Sequence, residues 1–315
     1  MDTDDIENHP DLRDGKWIAE ADRRARKEIR RQRRKARRKA STGKVVTAVA
    51  VVAIAALLYG LYREGEFAGI EEAVNTPAQE AFEVDFERPF LNTPAAGWAD
   101  GEAGVVAPEA QAVGGFSAEQ VADAYGRVKQ AVVASRLDRR VIQDHDVEPY
   151  IGLFAYDLQD HLRQQFDGRH DPEASMVVTR IAKGQRLLPV APKVNGTMRA
   201  EAGQDGELFV HTDYVFAYAF ATDKTPFGPM DIIALRRVEM SYVLRTGDAF
   251  SADSRGLWTD QTAGFDYAIA CTASKQGFLA PGISERATTD FTDDKPSEDY
   301  FDLDQSLDVK DGCPE

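Results

Sequence analysis

The sequence predicts an α+β protein: an N-terminal transmembrane helix, then an exported domain of two helices packed on a curved antiparallel sheet. Three observations predict this class. Residues 45–62 form an apolar run without charge, two segments with helical periodicity lie between residues 117 and 168, and the apolar period changes to two after residue 171. Helices followed by several antiparallel strands are typical of an α+β layer.

The apolar run from Val45 to Tyr62 predicts the transmembrane helix. It has 18 residues and would span roughly 27 Å as a helix, close to the thickness of a hydrocarbon core. A cleaved signal peptide is the alternative, but the preceding segment is long and no small-residue cleavage pattern follows it promptly. We therefore expect an uncleaved anchor.

The charge distribution predicts the orientation of that anchor. The net charge is -15, yet residues 1–44 carry 15 Lys/Arg against 9 Asp/Glu. Positive residues stay in the cytoplasm, so we expect a single-pass protein of the cell membrane with a cytoplasmic N-terminus and an extracytoplasmic C-terminal domain. The residues expected to contact anionic lipids of the inner leaflet are Arg30, Arg31, Arg33, Arg34, Lys35, Arg37, Arg38 and Lys39. Nucleic acid is disfavoured as a partner, because this run lacks aromatic side chains that stack on bases.

Five parts follow from these observations. They are a cytoplasmic arm at 1–43, basic from residue 23, a transmembrane helix at 44–62, a Pro/Ala/Gly-rich stalk at 63–115, an α+β domain at 116–280 and an acidic tail at 281–315. Both termini are expected to be disordered. An aromatic patch at 82–98 interrupts the stalk and is expected to dock on the domain or on a partner.

The two cysteines, Cys271 and Cys313, belong to no Cys-x-x-Cys pair and to no His/Cys cluster. Zinc and thioredoxin-like redox chemistry are therefore disfavoured. Both lie in the part expected outside the cell, where disulfides persist. We predict that they form a disulfide, with two free thiols as the alternative.

Two helices open the predicted domain. Ser117 and Gln120 have the spacing of a capping box, and an apolar stripe continues from there to about Ser135. The second helix is expected to begin near Pro149 and to end before Gly168.

Segments with a period of two predict the strands. Asn195-Gly196 predicts a type I′ hairpin turn between two of them. The predicted strands are 176–182, 187–194, 197–202, 208–221, 232–245 and 258–271.

The longest strand carries the candidate site. His211 and Asp213 share one of its faces, and in a cavity they could act as a general base and its orienting carboxylate. On an exposed face they would form a polar edge. With the neighbouring Tyr214 they are the predicted ligand-binding residues.

Other polar groups give weaker signals. The i,i+4 pair Asp157 and His161 is typical of a solvated helix, and a loop cluster occurs at 144–146, with His170 and Asp171 near the second helix end. Hydrolase, zinc-protease, P-loop and dinucleotide motifs are not found in the sequence. We therefore predict no catalytic residue, metal ligand or cofactor.

Four segments carry a resemblance to a known family. They are residues 93–101 (TPAAGWADG), Phe116 with 120–122 (QVA), Leu137-Asp138 and 210–214 (VHTDY). In these the chain resembles uncharacterised single-pass membrane proteins of high-GC actinobacteria, over less than half of its length. That family implies no catalytic residues. The architecture alone is similar to the nuclear transport factor 2 class, whose bitopic members bind partners in secretion and transport assemblies.

These observations favour a non-catalytic envelope protein. Its domain is expected to bind a protein, peptide or cell-wall ligand through the concave face of the sheet or through the acidic tail. The alternative is a membrane-tethered hydrolase that uses a cavity at His211 and Asp213. A third hypothesis is a signal transducer whose basic arm binds nucleic acid.

Overall fold

The computed structural model describes residues 84–168, 171–285, 297–308 and 313. All of them belong to 78–315, one of the two units into which the chain divides. Within these described residues no helix is long and apolar enough to cross a membrane. This finding overturns the transmembrane part of the predicted fold class and the predicted single-pass location in the cell membrane. The predicted span, Val45–Tyr62, and the basic residues between Arg30 and Lys39 lie outside the described residues.

The described residues form a mixed α+β structure around a curved antiparallel sheet. Strands β1 to β6 are Ala99–Asp100, Arg186–Leu187, Lys193–Ala202, Glu207–Ala221, Ile233–Arg245 and Gly256–Tyr267. Their order is β1-β3-β4-β5-β6, and β2 pairs with the far end of β4. The long strands β4 and β5 lie at the centre, where alternate residues point to opposite faces.

Seven short or medium α-helices accompany the sheet in the described ranges. Helices α1 to α7 are Ala118–Arg136, Arg139–Ile142, Glu148–Ile151, Tyr156–Gln165, Asp171–Val177, Pro229–Ile232 and Cys271–Lys275. The predicted start of α1 is confirmed: Ser117 accepts from the backbone N–H of Gln120, and the Gln120 side chain accepts from the N–H of Ser117.

One face of the sheet packs against the helices, and we call it the helix face. On β4 it presents Leu208, Val210, Tyr214, Phe216, Tyr218 and Phe220, all at most 1% exposed. They share one hydrophobic core with α1, whose apolar stripe contributes Val121, Val128 and Val132. Burial of this stripe and of the aromatic ladder accounts for the main core.

The opposite face, called here the open face, carries a second and smaller core. Its sheet residues include Ala217, Leu235 and Phe265. Residues from before α1, among them Phe90 and Ala95, and residues from near the C-terminus pack on them. The part of the predicted stalk from Val84 onward thus contributes buried side chains to this core. The predicted domain boundaries themselves stay predictions.

The C-terminal contribution is a segment of twelve residues, 297–308, which we call the strap. A 3-10 helix at Ser297–Phe301 begins it. Tyr300 and Phe301 are buried, whereas Glu298, Asp302, Asp304 and Asp308 are exposed. The acidic tail therefore turns its aromatic side chains toward the sheet and its charges toward solvent.

Four predicted elements are wrong. The strand predicted at 187–194 is not continuous, because β2 ends at Leu187 and β3 begins at Lys193. The segment predicted as a strand at 176–182 follows and overlaps α5, because Pro172 in the first turn favours a helix start over the β-branched run after it. The predicted second helix is broken into α3 and α4 by residues 152–155. Asn195-Gly196 lies inside β3, paired with Val215 and Tyr214, and the chain turns instead at 203–206.

Candidate functional site

Arg237, in the middle of β5, is the centre of the open face. Its side chain is only 2% exposed. Nε and Nη2 donate to the two carboxylate oxygens of Asp213 at 3.1 and 2.9 Å. The remaining donors reach backbone carbonyls of the strap: Nη1 donates to Asp302 at 3.3 Å and Gln305 at 2.6 Å, and Nη2 donates to Leu303 at 2.6 Å. One guanidinium group thus clamps three carbonyls of the strap, which forms a turn here, because the Gln305 N–H donates to the Asp302 carbonyl at 3.3 Å.

Aromatic contacts anchor the strap next to this clamp. The ring of Tyr300 stacks on Tyr267, with centroids 3.8 Å apart and planes 7° apart. The same ring meets Phe265 edge-on at 5.8 Å. Phe301 meets the edge of Trp98 at 5.7 Å. Such pairs contribute roughly 0.5–1.5 kcal/mol each beyond the burial of their area.

The disulfide predicted between Cys271 and Cys313 is confirmed. Cys271 is the first residue of α7, shortly after β6. The covalent bond therefore ties the chain beyond the strap to the end of the sheet's edge strand. It closes a loop with a sequence separation of 42 residues.

The three predicted ligand-binding residues have different roles in the structure. Asp213 is engaged by Arg237. His211 lies on the same face, 28% exposed, with Nδ1 at 2.8 Å from Ser241 Oγ and Nε2 at 3.4 Å from Glu201. His211 and Asp213 line neither the small cavity between α1 and the sheet nor the larger cleft beside Pro189 and Pro192.

Tyr214 points the other way, into the helix face. Its hydroxyl is buried and has no hydrogen-bond partner among the described residues. Burial raises its pKa to about 12. It lines a small cavity between α1 and the sheet, together with Arg136 and Tyr242. The rest of the helix face on β4 is covered by the packed side chains of the main core.

Two buried arginines sit beside this cavity and hold the end of α5. Arg136, 3% exposed, donates to Thr179 Oγ1 at 3.0 Å and to the carbonyls of Ser175 and Met176. Arg236 donates to the same Ser175 carbonyl at 2.9 Å and forms two 2.6 Å bonds with Asp266. Carbonyls at a helix C-terminus carry partial negative charge that favours cations. This network joins α1, α5 and the sheet.

Other sequence candidates have structural roles. His145 has Nε2 2.8 Å from the carbonyl of Ile181 and stacks on Phe278. Asp157 accepts from the Ser254 hydroxyl, while His161 contacts Gln165. Across the described part of the chain, His, Cys, Asp and Glu form no group of three that could hold a metal ion. His170 lies outside the described residues.

Sequence reasoning missed Arg236 and Arg237 as organising residues. Both lie in a mostly buried stretch of β5, and being adjacent they point to opposite faces. A cation at the centre of a long buried strand is rarely tolerated without partners, and this was the available signal. Their partners, in α5 and in the strap, are distant in sequence and carry no recognisable motif.

Comparisons with protein-family models, with curated proteins and with solved structures find no match to this chain.

Proposed function

We propose that this domain is a non-catalytic binding module whose open face holds a peptide segment that begins in a helical turn and continues into a tight turn. The peptide it recognises carries two adjacent aromatic residues, followed by backbone carbonyls that the Arg237 clamp can reach. In this structure the chain's own strap occupies that site. The observation that carries the proposal is the use of three Arg237 contacts on main-chain oxygens of one segment.

The contacts divide in the way that peptide-recognition sites do. Bonds to main-chain carbonyls contribute affinity regardless of sequence, and pockets for particular side chains contribute specificity. Here Tyr267, Phe265 and Trp98 receive the aromatic pair. Aromatic anchors next to a desolvated arginine are typical of the residues that dominate binding energy at interfaces.

The same geometry favours binding over the hydrolase alternative. Asp213, the proposed orienting carboxylate, holds Arg237 rather than His211. His211 contacts Ser241 and Glu201 on a partly exposed surface. A general base needs a formed site in which a reacting group comes within hydrogen-bond reach. Neither the cavity between α1 and the sheet nor the larger cleft is lined by His211.

The strap also sets the conditions under which another peptide binds. A tethered segment has an effective concentration in the millimolar range for short flexible connections. A free peptide of the same sequence therefore competes poorly with the strap in the intact chain. A partner peptide must therefore either bind the open face more tightly than the strap does, or bind after the strap has been displaced.

A competition experiment tests this proposal. A fluorescent peptide with the sequence of residues 297–308 is titrated into the intact chain and into the variant Tyr300→Ala/Phe301→Ala, whose folding is checked by circular dichroism. We expect saturable binding to the variant and at least tenfold weaker binding to the intact chain. Phe301→Ala alone serves as a milder variant if the double substitution impairs folding.

Two controls make the result specific. A peptide with both aromatic residues replaced by alanine should not bind the variant, and adding Arg237→Met to the variant should abolish binding of the original peptide. If a folded variant ignores the peptide, or binds the alanine peptide equally well, the open face is not a peptide site of this kind.

A further inference from the structure

The small cavity between α1 and the sheet has an unusual lining. All of its lining residues are buried, and five of them have polar side chains: Ser135, Arg136, Thr212, Tyr214 and Tyr242. The hydroxyls of Ser135 and Thr212 donate to backbone carbonyls. It has room for the centre of one water-sized body, about 10 Å³. This space is close to the smallest that holds one water molecule, so it can hold no more than a single water molecule or a single monatomic ion.

The charge around this cavity is unbalanced. Arg136 and Arg236 both donate to the Ser175 carbonyl and to Thr179 Oγ1. Arginine keeps its proton in proteins, so both guanidinium groups are cationic. The carboxylate that neutralises them is Asp266, and both of its oxygens bind Arg236. Among the described residues Arg136 has only neutral acceptors, and the carbonyls of α5 supply only a fraction of a charge.

The hydroxyl of Tyr214 adds a second group that lacks an acceptor. It is buried, lines the same cavity and has no partner in the described part of the chain. A buried donor without an acceptor is destabilising. Because burial raises the pKa of Tyr214 to about 12, the phenol remains protonated at neutral pH. A nearby acceptor for its O–H would therefore stabilise the fold.

We propose that this cavity is a binding site for one halide ion, chloride under ordinary conditions, held by the Arg136 guanidinium and the Tyr214 hydroxyl. The ion supplies a negative charge beside Arg136 and an acceptor for Tyr214, neither of which the described residues provide. A water molecule satisfies only the second need. Larger anions such as gluconate exceed the space, so the site discriminates by size.

Thermal unfolding of the full chain in sodium chloride, sodium bromide and sodium gluconate at equal ionic strength tests the proposal. A ligand that binds only the folded state multiplies the folded-to-unfolded ratio by one plus the ratio of the ligand concentration to Kd. At a ligand concentration of a hundred times Kd this factor is roughly 100. We expect Tm to rise and saturate with chloride and bromide, and to stay unchanged with gluconate.

Two tyrosine variants separate the ion from a water molecule. Tyr214→Phe should weaken the chloride effect at least tenfold, yet be at least as stable as the original chain in gluconate, because it removes a buried donor that lacks an acceptor there. Tyr218→Phe is the matched control, because its hydroxyl already donates to the Arg136 carbonyl at 3.1 Å. That variant should lose the same stability in both salts and keep its chloride response.

Bromide also locates the site directly through its anomalous signal in crystals. A peak within hydrogen-bond distance of Tyr214 Oη and the Arg136 guanidinium supports the proposal. Equal Tm in chloride and gluconate, a chloride effect that Tyr214→Phe leaves intact, or a bromide derivative without that peak overturns it.

Discussion

Replacing Arg237 by methionine should release the strap while leaving the helix face folded. The side chain is 2% exposed, and its carboxylate partner Asp213 is 26% exposed. Methionine keeps much of the buried length of the side chain but removes every donor. The substitution therefore tests the clamp rather than the packing.

The expected loss can be worked out from the contacts. Hydrogen bonds to a charged group contribute about 1.5–3 kcal/mol each when the partners stay buried. The three strap carbonyls and Asp213 regain water once the strap lifts, which offsets most of that sum. We expect a net loss of about 2–3 kcal/mol, well below the roughly 3–5 kcal/mol of a fully buried pair that loses one partner.

Hydrogen exchange of the strap amides measures this loss locally. Because 1.4 kcal/mol is a factor of ten, amides at 302–305 should exchange about 30- to 150-fold faster in Arg237→Met. Glu239→Gln is the control: Glu239 is 48% exposed and 3.4 Å from Arg237, so its loss should cost under about 1 kcal/mol. Strap amides that exchange at the original rate in Arg237→Met would refute the clamp.

Three further predictions follow from other contacts. Cys313→Ser should lower the free energy of unfolding by up to roughly 4 kcal/mol, since the bond closes a loop of 42 residues, and denaturant unfolding with and without reductant checks this; equal midpoints would show that the bond does not stabilise the fold. Burial raises the pKa of Tyr214 from 10.0 to about 12, so the folded state favours the protonated phenol, and this preference stabilises the fold below pH 10 and is lost as pH rises toward 12. Tyr214→Phe should therefore shift the midpoint of alkaline unfolding upward, as followed by phenolate absorbance. An unchanged midpoint would contradict this role of the Tyr214 phenol. Gly264→Ala should cost about 1–3 kcal/mol because its Cβ would lie 2.2 Å from the Arg237 carbonyl oxygen, whereas Gly126→Ala, in an open position on α1, should stabilise by about 0.5–1 kcal/mol; thermal unfolding of the two variants should move in opposite directions.

The parts of the fold that sequence reasoning predicted are those with strong local signals. The alternation in β4 and β5 continues for more than ten residues, long enough to exclude a helix. Ser117 and Gln120 specify the start of α1 through bonds within one turn. Such signals do not depend on distant parts of the chain.

The failures arose where tertiary contacts override local preference. Asn195-Gly196 favours a turn, but a Cβ at Gly196 would lie 2.2 Å from the Tyr214 ring. The glycine therefore serves close packing inside a ten-residue strand rather than a change of direction. The turn that the chain does make uses Gly206, which has a φ of +81° and so a conformation that glycine adopts readily.

The candidate site was harder to predict than the fold. The residue types of His211 and Asp213 suit catalysis, but Asp213 binds Arg237 in the structure. The strap carbonyls that Arg237 binds lie 65, 66 and 68 residues away from it in sequence, so spacing along the chain gives no hint of the contact. Only the pairing of β4, β5 and β6 brings these groups together.

The adjacent arginines of β5 also fix the alignment of the sheet. Arg236 and Arg237 occupy consecutive positions. Arg236 forms hydrogen bonds on the helix face and Arg237 on the open face. If β5 slid by one residue against its neighbours, every side chain would change sides. One guanidinium could then still reach a set of acceptors, but the other would be left among apolar groups. The two arginines therefore specify a single register of β5 against its neighbouring strands.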